Sequence, residues 1–189
     1  IVGAYGYDGS YTDGGKVWVY YGSASGIDDE ADWSAEGENA GDYFCHASGA
    51  AGDVNGDGYG DVIIGAYGYD VGGSNVGRVY VYYGSAGGLQ STPTWTAEGD
   101  QAGAYFGGSG GAAGDVNGDG YDDLMISAIG QRHADGARGS VYVYYGSPSG
   151  LTGPVWEIHP QAPDTTGMFG YGIGEAGDVN GDGYGDVAI

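Results

Sequence analysis

Three copies of one acidic loop carry the chemistry of this chain. Each reads Asp-x-Asn-x-Asp-Gly-x-x-Asp. The first is Asp53, Asn55, Asp57, Gly58 and Asp61, the second Asp115, Asn117, Asp119, Gly120 and Asp123, and the third Asp178, Asn180, Asp182, Gly183 and Asp186. Positions 1, 3 and 5 put three side-chain oxygens on the inside of a tight loop, and Gly at position 6 permits the sharp turn. The residue at position 7, which is Tyr59, Tyr121 or Tyr184, can offer its backbone carbonyl, and the Asp at position 9 can close the shell. Hard oxygen donors in this number, with no Cys or His among them, select Ca²⁺ over Zn²⁺; Mg²⁺ would demand a stricter octahedron. Three calcium sites are expected. Asp, Asn and Gly are also ordinary turn residues that need bind nothing, but the same donors at a fixed pitch, three times over, favour the ion. An EF-hand requires Glu at position 12 and flanking helices. Position 12 here is Ile64, Ile126 and Ile189, in strand-like sequence.

The elements that hold these loops repeat with them. The first Asp recurs at a pitch of about 62 residues, and Phe44, Phe106 and Phe169 precede the three loops at constant distance. Val-Tyr-Val-Tyr-Tyr-Gly-Ser begins at Val79 and Val141, with Val-Trp-Val-Tyr-Tyr-Gly-Ser at Val17, and Trp33, Trp95 and Trp156 keep step. Such self-similarity marks a repeat protein, divided as 1–43, 44–105, 106–168 and 169–189. The β-branched and aromatic runs 17–21, 79–83 and 141–145 read as strands. They are apolar on both faces, so each is expected to lie between two other layers. Gly-Ser turns follow. A strand ending near each Trp comes next, then the Phe-Gly stretch and a short small-residue strand into the acidic loop. A last strand starts at Asp61 and its counterparts. Four short strands per repeat, with no helical periodicity, describe an all-β array of β-propeller blades.

Composition narrows the function. Of 189 residues, 45 are Gly and only 5 Pro, with no Gly-X-Y period, which excludes collagen. A 41% hydrophobic content with 19 Tyr excludes low-complexity disorder. Four Lys plus Arg against 26 Asp plus Glu give a net charge of −22, which argues against nucleic acid and anionic membranes as partners. No apolar run approaches the roughly 20 residues of a membrane span, so membrane insertion is not expected. Cys45 is alone and forms no internal disulfide. Gly107-Gly108-Ser109-Gly110-Gly111 has the spacing of a nucleophile elbow, but no helix follows it and Ala47 takes the place of Ser109 in the first repeat. His46, His133 and His159 occupy unrelated repeat positions and read as surface or loop residues. Cys45 and His46, as strand neighbours, point to opposite faces. No catalysis is expected within the chain.

Phe106-Gly107 and Phe169-Gly170, the Gly-Asp-Val-Asn-Gly-Asp-Gly-Tyr loops, and Ile64-Gly65-Ala66 and Val2-Gly3-Ala4 together resemble the FG-GAP repeat of integrin α-subunit propellers and many bacterial surface proteins. The Val-Tyr-Val-Tyr-Tyr-Gly-Ser strand looks like the bacterial version. Cys45 replaces the motif Gly, Ser127-Ala128 replaces Gly-Ala, and Tyr or Ile stands where Pro is usual. The resemblance implies a calcium loop between the innermost strand and the next. It also implies an extracellular or cell-surface location and a structural, adhesive or assembly role toward a protein or glycan. Two other roles remain open. One is an ancillary propeller of a secreted hydrolase of the phospholipase D type. The other is carbohydrate binding through Tyr5, Tyr7, Tyr67 and Tyr69. The divergent loops 5–15, 67–77 and 130–139 are where partner contacts are expected. Ile1-Val2 and Ala188-Ile189 align with Ile63-Ile64, so the array is expected to continue at both ends or to be completed by neighbouring chains in a ring or filament.

Overall fold

Strand-forming runs of Val, Ile and Tyr broken by Gly-rich turns can bury their apolar atoms only by stacking sheet on sheet, and the chain does so. The computed structural model describes residues 1–70, 74–161 and 168–189. A first, three-stranded sheet joins β1 (Val2–Ala4), β2 (Lys16–Val19) and β5 (Trp33–Glu36), with a small hairpin of β3 (Gly22–Ser23) and β4 (Gly26–Ile27) between the last two. Next come two four-stranded sheets in sequential order. One contains β6 (Phe44–Gly52), β7 (Asp61–Ala66), β8 (Arg78–Tyr82) and β9 (Trp95–Glu98). The other contains β10 (Phe106–Gly114), β11 (Asp123–Arg132), β12 (Arg138–Tyr145) and β13 (Thr152–Ile158). The strands β14 (Gly174–Gly177) and β15 (Asp186–Ala188) pair at the end. Every described pairing is antiparallel, and the sheets are propeller blades. Among the described residues no helix is long and apolar enough to cross a membrane.

The two-faced strands explain the stacking. Val62, Ile64 and Ala66 of β7, with Tyr80 and Tyr82 of β8, face the first sheet and meet Val17 there. Ile63, Val79 and Val81 face the other way and meet Leu124, Ile126 and Tyr144 of the next blade. One register further on, Met125, Val141 and Val143 turn toward Phe169 and Val187. In the third strand of each full blade, Tyr80 and Tyr82, and likewise Tyr142 and Tyr144, look back, while Val79, Val81, Val141 and Val143 look forward. Each fully buried Val or Ile contributes about 1.5–3 kcal/mol relative to exposure. Trp33 packs edge-on against Tyr82 at 4.8 Å, and Trp95 against Tyr144 at 5.1 Å, so the recurring Trp joins one blade to the next.

Three local expectations need correction. Trp33 and Trp95 open the outer strand instead of closing it, and Trp156 lies inside β13. The small-residue strand is not short: β6 and β10 run nine residues each and include the Phe. Gly and Ala there permit close sheet approach, since a Cβ on Gly65 would collide with the carbonyl of Gly107. The strand at 79–83 begins one residue earlier, at Arg78, because Arg78 still pairs with Ala66.

The Phe-Gly step has a conformational cause. Gly107 and Gly170 sit at φ 80° and 82°, beside a break in strand register after Phe106. Cys45, which replaces this Gly, adopts φ 71°, a left-handed conformation that costs an L-residue about 1–2 kcal/mol.

Candidate functional site

Each acidic loop is the turn between the first two strands of a blade, β6–β7, β10–β11 and β14–β15. The loop folds around its own side chains. In the first, Asp53 accepts from the N–H of Asp57 at 3.0 Å and of Gly58 at 2.8 Å. Asn55 Oδ1 accepts from the Asp57 N–H at 2.8 Å, and Asp57 Oδ1 from the Tyr59 N–H at 2.9 Å. The second loop repeats the pattern through Asp115, Asn117 and Asp119 with the N–H groups of Asp119, Gly120 and Tyr121. The third does so through Asp178, Asn180 and Asp182 with those of Asp182, Gly183 and Tyr184. A run of backbone donors thus draws the position 1, 3 and 5 oxygens toward the loop interior. Each carboxylate oxygen keeps a second lone pair for another partner.

The position 9 carboxylates do something the sequence did not reveal. Asp61 is buried, with one oxygen accepting from the N–H of Val54 at 3.0 Å and the other from Gly84 at 2.9 Å. Asp123 does the same with Val116 and Gly146, both at 2.9 Å, and Asp186 accepts from Val179 at 2.9 Å. Asp61 and Asp123 thereby brace their loops against the turn that follows the third strand. Burial, reinforced by the charges at positions 5 and 1, pushes Asp61 and Asp123 up to about 6 despite the N–H donors. In the exposed third loop, the Gly183 N–H and its neighbours hold Asp178 below the usual carboxylate range.

Successive loops also touch. The Asp122 N–H donates to the Asp53 carbonyl at 3.2 Å, while its side chain accepts from the Asp53 N–H at 2.7 Å. The Gly185 N–H donates to the Asp115 carbonyl at 2.8 Å. The position 7 rings complete the chain: Tyr121 covers Gly56, and Tyr184 covers Gly118, where a Cβ would come within 2.7 Å of the ring. Position 4 is at positive φ in all three loops, 72°, 76° and 77°, which favours Gly, and in the first two the next loop's Tyr also occupies its side-chain space.

The other singled-out residues fall elsewhere. Ser109 lies inside β10, not on a strand-to-helix turn, and its hydroxyl donates to the Tyr171 carbonyl at 2.9 Å. Tyr5 and Tyr7 are exposed, but Tyr67 is half-buried, stacked on Tyr43 at 5.2 Å and against His46 at 4.3 Å. Tyr69 accepts a hydrogen bond from Arg78 at 3.0 Å. Loops 5–15, 67–77 and 130–139 all lie at the blade end opposite the acidic loops; positions 71–73 lie outside the described residues. One grouping emerges only in the folded chain. Among the described residues, a single set of three His, Cys, Asp or Glu side chains has ligand atoms within 4.8 Å of one another, and it is His133, Glu157 and His159. The signal available was Glu-x-His on a strand, whose alternation puts both side chains on one face.

Residues 47–82 and 106–144 match the family model described as FG-GAP repeat. The chain carries FG-GAP repeats. This FG-GAP chain is 36% identical over 173 residues to integrin alpha-PS2 of Drosophila melanogaster, covering 81% of the chain and 12% of that protein. It is 33% identical over 159 residues to integrin alpha-IIb of Mus musculus, covering 81% and 15%. It is 37% identical over 150 residues to phosphatidylinositol-glycan-specific phospholipase D of Rattus norvegicus, covering 74% and 17%. The chain spans less than a fifth of the length of these relatives.

Proposed function

We propose that each acidic loop binds one calcium ion and that the chain is a calcium-stabilised propeller segment of the extracellular space or cell surface, with an adhesive or structural role. The observation that carries this reading is the inward set of oxygens at positions 1, 3 and 5, held by backbone N–H groups in all three loops. The donors are all oxygen, and two of the three side chains are anionic, which suits a hard cation. The proposed ligands are Asp53, Asn55, Asp57, Asp61 and the Tyr59 carbonyl, then Asp115, Asn117, Asp119, Asp123 and the Tyr121 carbonyl. The third set is Asp178, Asn180, Asp182, Asp186 and the Tyr184 carbonyl. When bound, the ion offsets two of the three carboxylate charges whose mutual repulsion opposes folding. The chain's own part is to present these oxygens already folded inward, which limits the ordering cost of binding.

The repeat units are 1–43, 44–105, 106–168 and 169–189. A protein or glycan partner is met through the divergent loops at the far end, where Tyr5 and Tyr7 are exposed. Exposed Val2, Val155, Trp156 and Val179 support pairing of the outer sheets with further repeats, in the same polypeptide or a second copy. Likeness to a phospholipase D supports a second reading, an ancillary propeller attached to a secreted hydrolase. A catalytic domain in the same polypeptide decides for it. Melting with and without EDTA, alongside metal analysis of the purified protein, tests the calcium reading. An unchanged melt with no bound metal would sink it.

A further inference from the structure

The third blade departs from its neighbours at one register position. In β2, Lys16 stands opposite Glu36, and in β8 Arg78 stands opposite Glu98; both pairs are closed by ion contacts, at 3.0 and 3.6 Å. The matching residue of β12 is Ser140, and the outer strand there ends Glu157-Ile158 with His159 next. The cation is gone, and a histidine takes the place of the glutamate.

Around that position three elements converge. His133, from the turn between β11 and β12, stacks its ring on that of His159, with centroids 3.9 Å apart and planes within 13°. One ring nitrogen from each histidine and one oxygen of Glu157 lie within 4.8 Å of one another. Ser140, fully buried, donates its hydroxyl to Glu157 Oε1 at 2.9 Å and meets His133 Nε2 at 2.8 Å. With the hydroxyl proton committed to Glu157, the Ser140 oxygen accepts from His133. The ring therefore carries its proton on Nε2 and a lone pair on Nδ1. His159 Nε2 stands 3.8 Å from Asp135 Oδ2, and Asp135 is held in the turn by the Ala137 N–H at 2.9 Å. Neutral imidazole is the form that binds metal.

We propose that His133, Glu157 and His159, with Asp135 as a fourth donor, bind one divalent transition-metal ion of the Zn²⁺, Ni²⁺ or Cu²⁺ class. Two imidazoles and carboxylate oxygen are the donors those ions prefer, whereas the acidic loops offer oxygen alone. Ligand atoms around a tetrahedral zinc stand roughly 3.3 Å apart, given Zn–N and Zn–O bonds near 2.0 Å. Rotation of the exposed Glu157 and the partly exposed His159 closes the difference. Buried Ser140 is the outer partner that orients His133 and Glu157. Arg132 and Arg138 flank the turn, and Glu157 and Asp135 offset their charge. The site lies at the end of the blade opposite its acidic loop, where an ion would staple the β11–β12 turn to the outer strand β13.

The test is titration of the chain with Zn²⁺, by competition against a chromophoric chelator, in saturating calcium so that the acidic loops are filled. One equivalent of Zn²⁺ is expected, and Co²⁺ in its place gives the visible absorption of a tetrahedral centre. His133→Ala and His159→Ala each weaken binding at least about tenfold, and Ser140→Ala, acting through the outer partner, weakens it about tenfold. His46→Ala leaves binding unchanged, and the calcium-dependent melt of every variant confirms that the blades remain folded. Absence of Zn²⁺ binding in excess calcium overturns the proposal. So does binding by His133→Ala and His159→Ala with wild-type affinity.

Discussion

The two ends of the blades follow opposite rules. At the acidic-loop end, three turns carry the same donors and the same internal hydrogen bonds, and the second and third each lay a Tyr over a Gly of the loop before. At the far end the connections differ in length and sequence, and equivalent register positions hold Lys16–Glu36, Arg78–Glu98 or Ser140 with two histidines. Repetition with contact between copies points to a shared job, holding blades together around ions. Divergence at fixed strand positions points to jobs that belong to single blades. A change at the first end should therefore spread to its neighbours, and a change at the second should stay local.

Removing calcium is the strongest probe of that contrast. With each ion at about ten times its dissociation constant, three loops contribute about 4 kcal/mol together, so chelation should lower the melting temperature by about 10 °C. Differential scanning calorimetry reads this directly. Gly118→Ala comes next, at about 2 kcal/mol, because φ is 76° there and the new methyl meets the Tyr184 ring. Calcium titration should show the third loop weakened as well as the second; an effect confined to the second would break the idea of coupled loops.

Acidity gives a smaller, signed effect. A carboxyl raised to about 6 in the folded state favours folding below its ordinary value, near 4, and that contribution is lost as pH rises through about 6. Calcium must displace the proton it leaves behind. Affinity of the first two loops should therefore fall about tenfold between pH 7 and pH 5, measurable by isothermal titration. The third loop, whose Asp178 is shifted down, should hold its affinity better over the same range. At the far end, Lys16→Gln should lower the melting temperature little, because the partner Glu36 is solvated. Loop affinities should not change.

Much of this was legible in the sequence because the physics was local. The two-sided apolar strands, the pitch of the repeat and the inward positions 1, 3 and 5 all follow from residue type and spacing. What was not legible depended on neighbours far along the chain. Gly56 and Gly118 suit their positive φ, but their lack of a side chain also makes room for Tyr121 and Tyr184 of the following repeat, a contact that spacing alone does not announce. Asp61 read as a closing ligand, while the folded chain also gives it the N–H groups of Val54 and Gly84. Tyr67 read as a sugar-stacking candidate, but Tyr43 and His46 cover it. His133 and His159 looked unrelated because two strands and the turn between them separate them, and only the β12–β13 pairing brings them together.

The division of the third strand of each full blade into a tyrosine side looking back and a valine side looking forward gives the array a direction. A blade turned around would set Tyr against Tyr and Val against Val, crowding one seam and leaving gaps in the other. Repeats can therefore be gained or lost only as whole units in the same orientation, since any such unit offers its neighbours the two faces they already fit. Duplication of a gene segment of that length is then structurally silent at both seams. The far-end loops are left free to change one copy at a time.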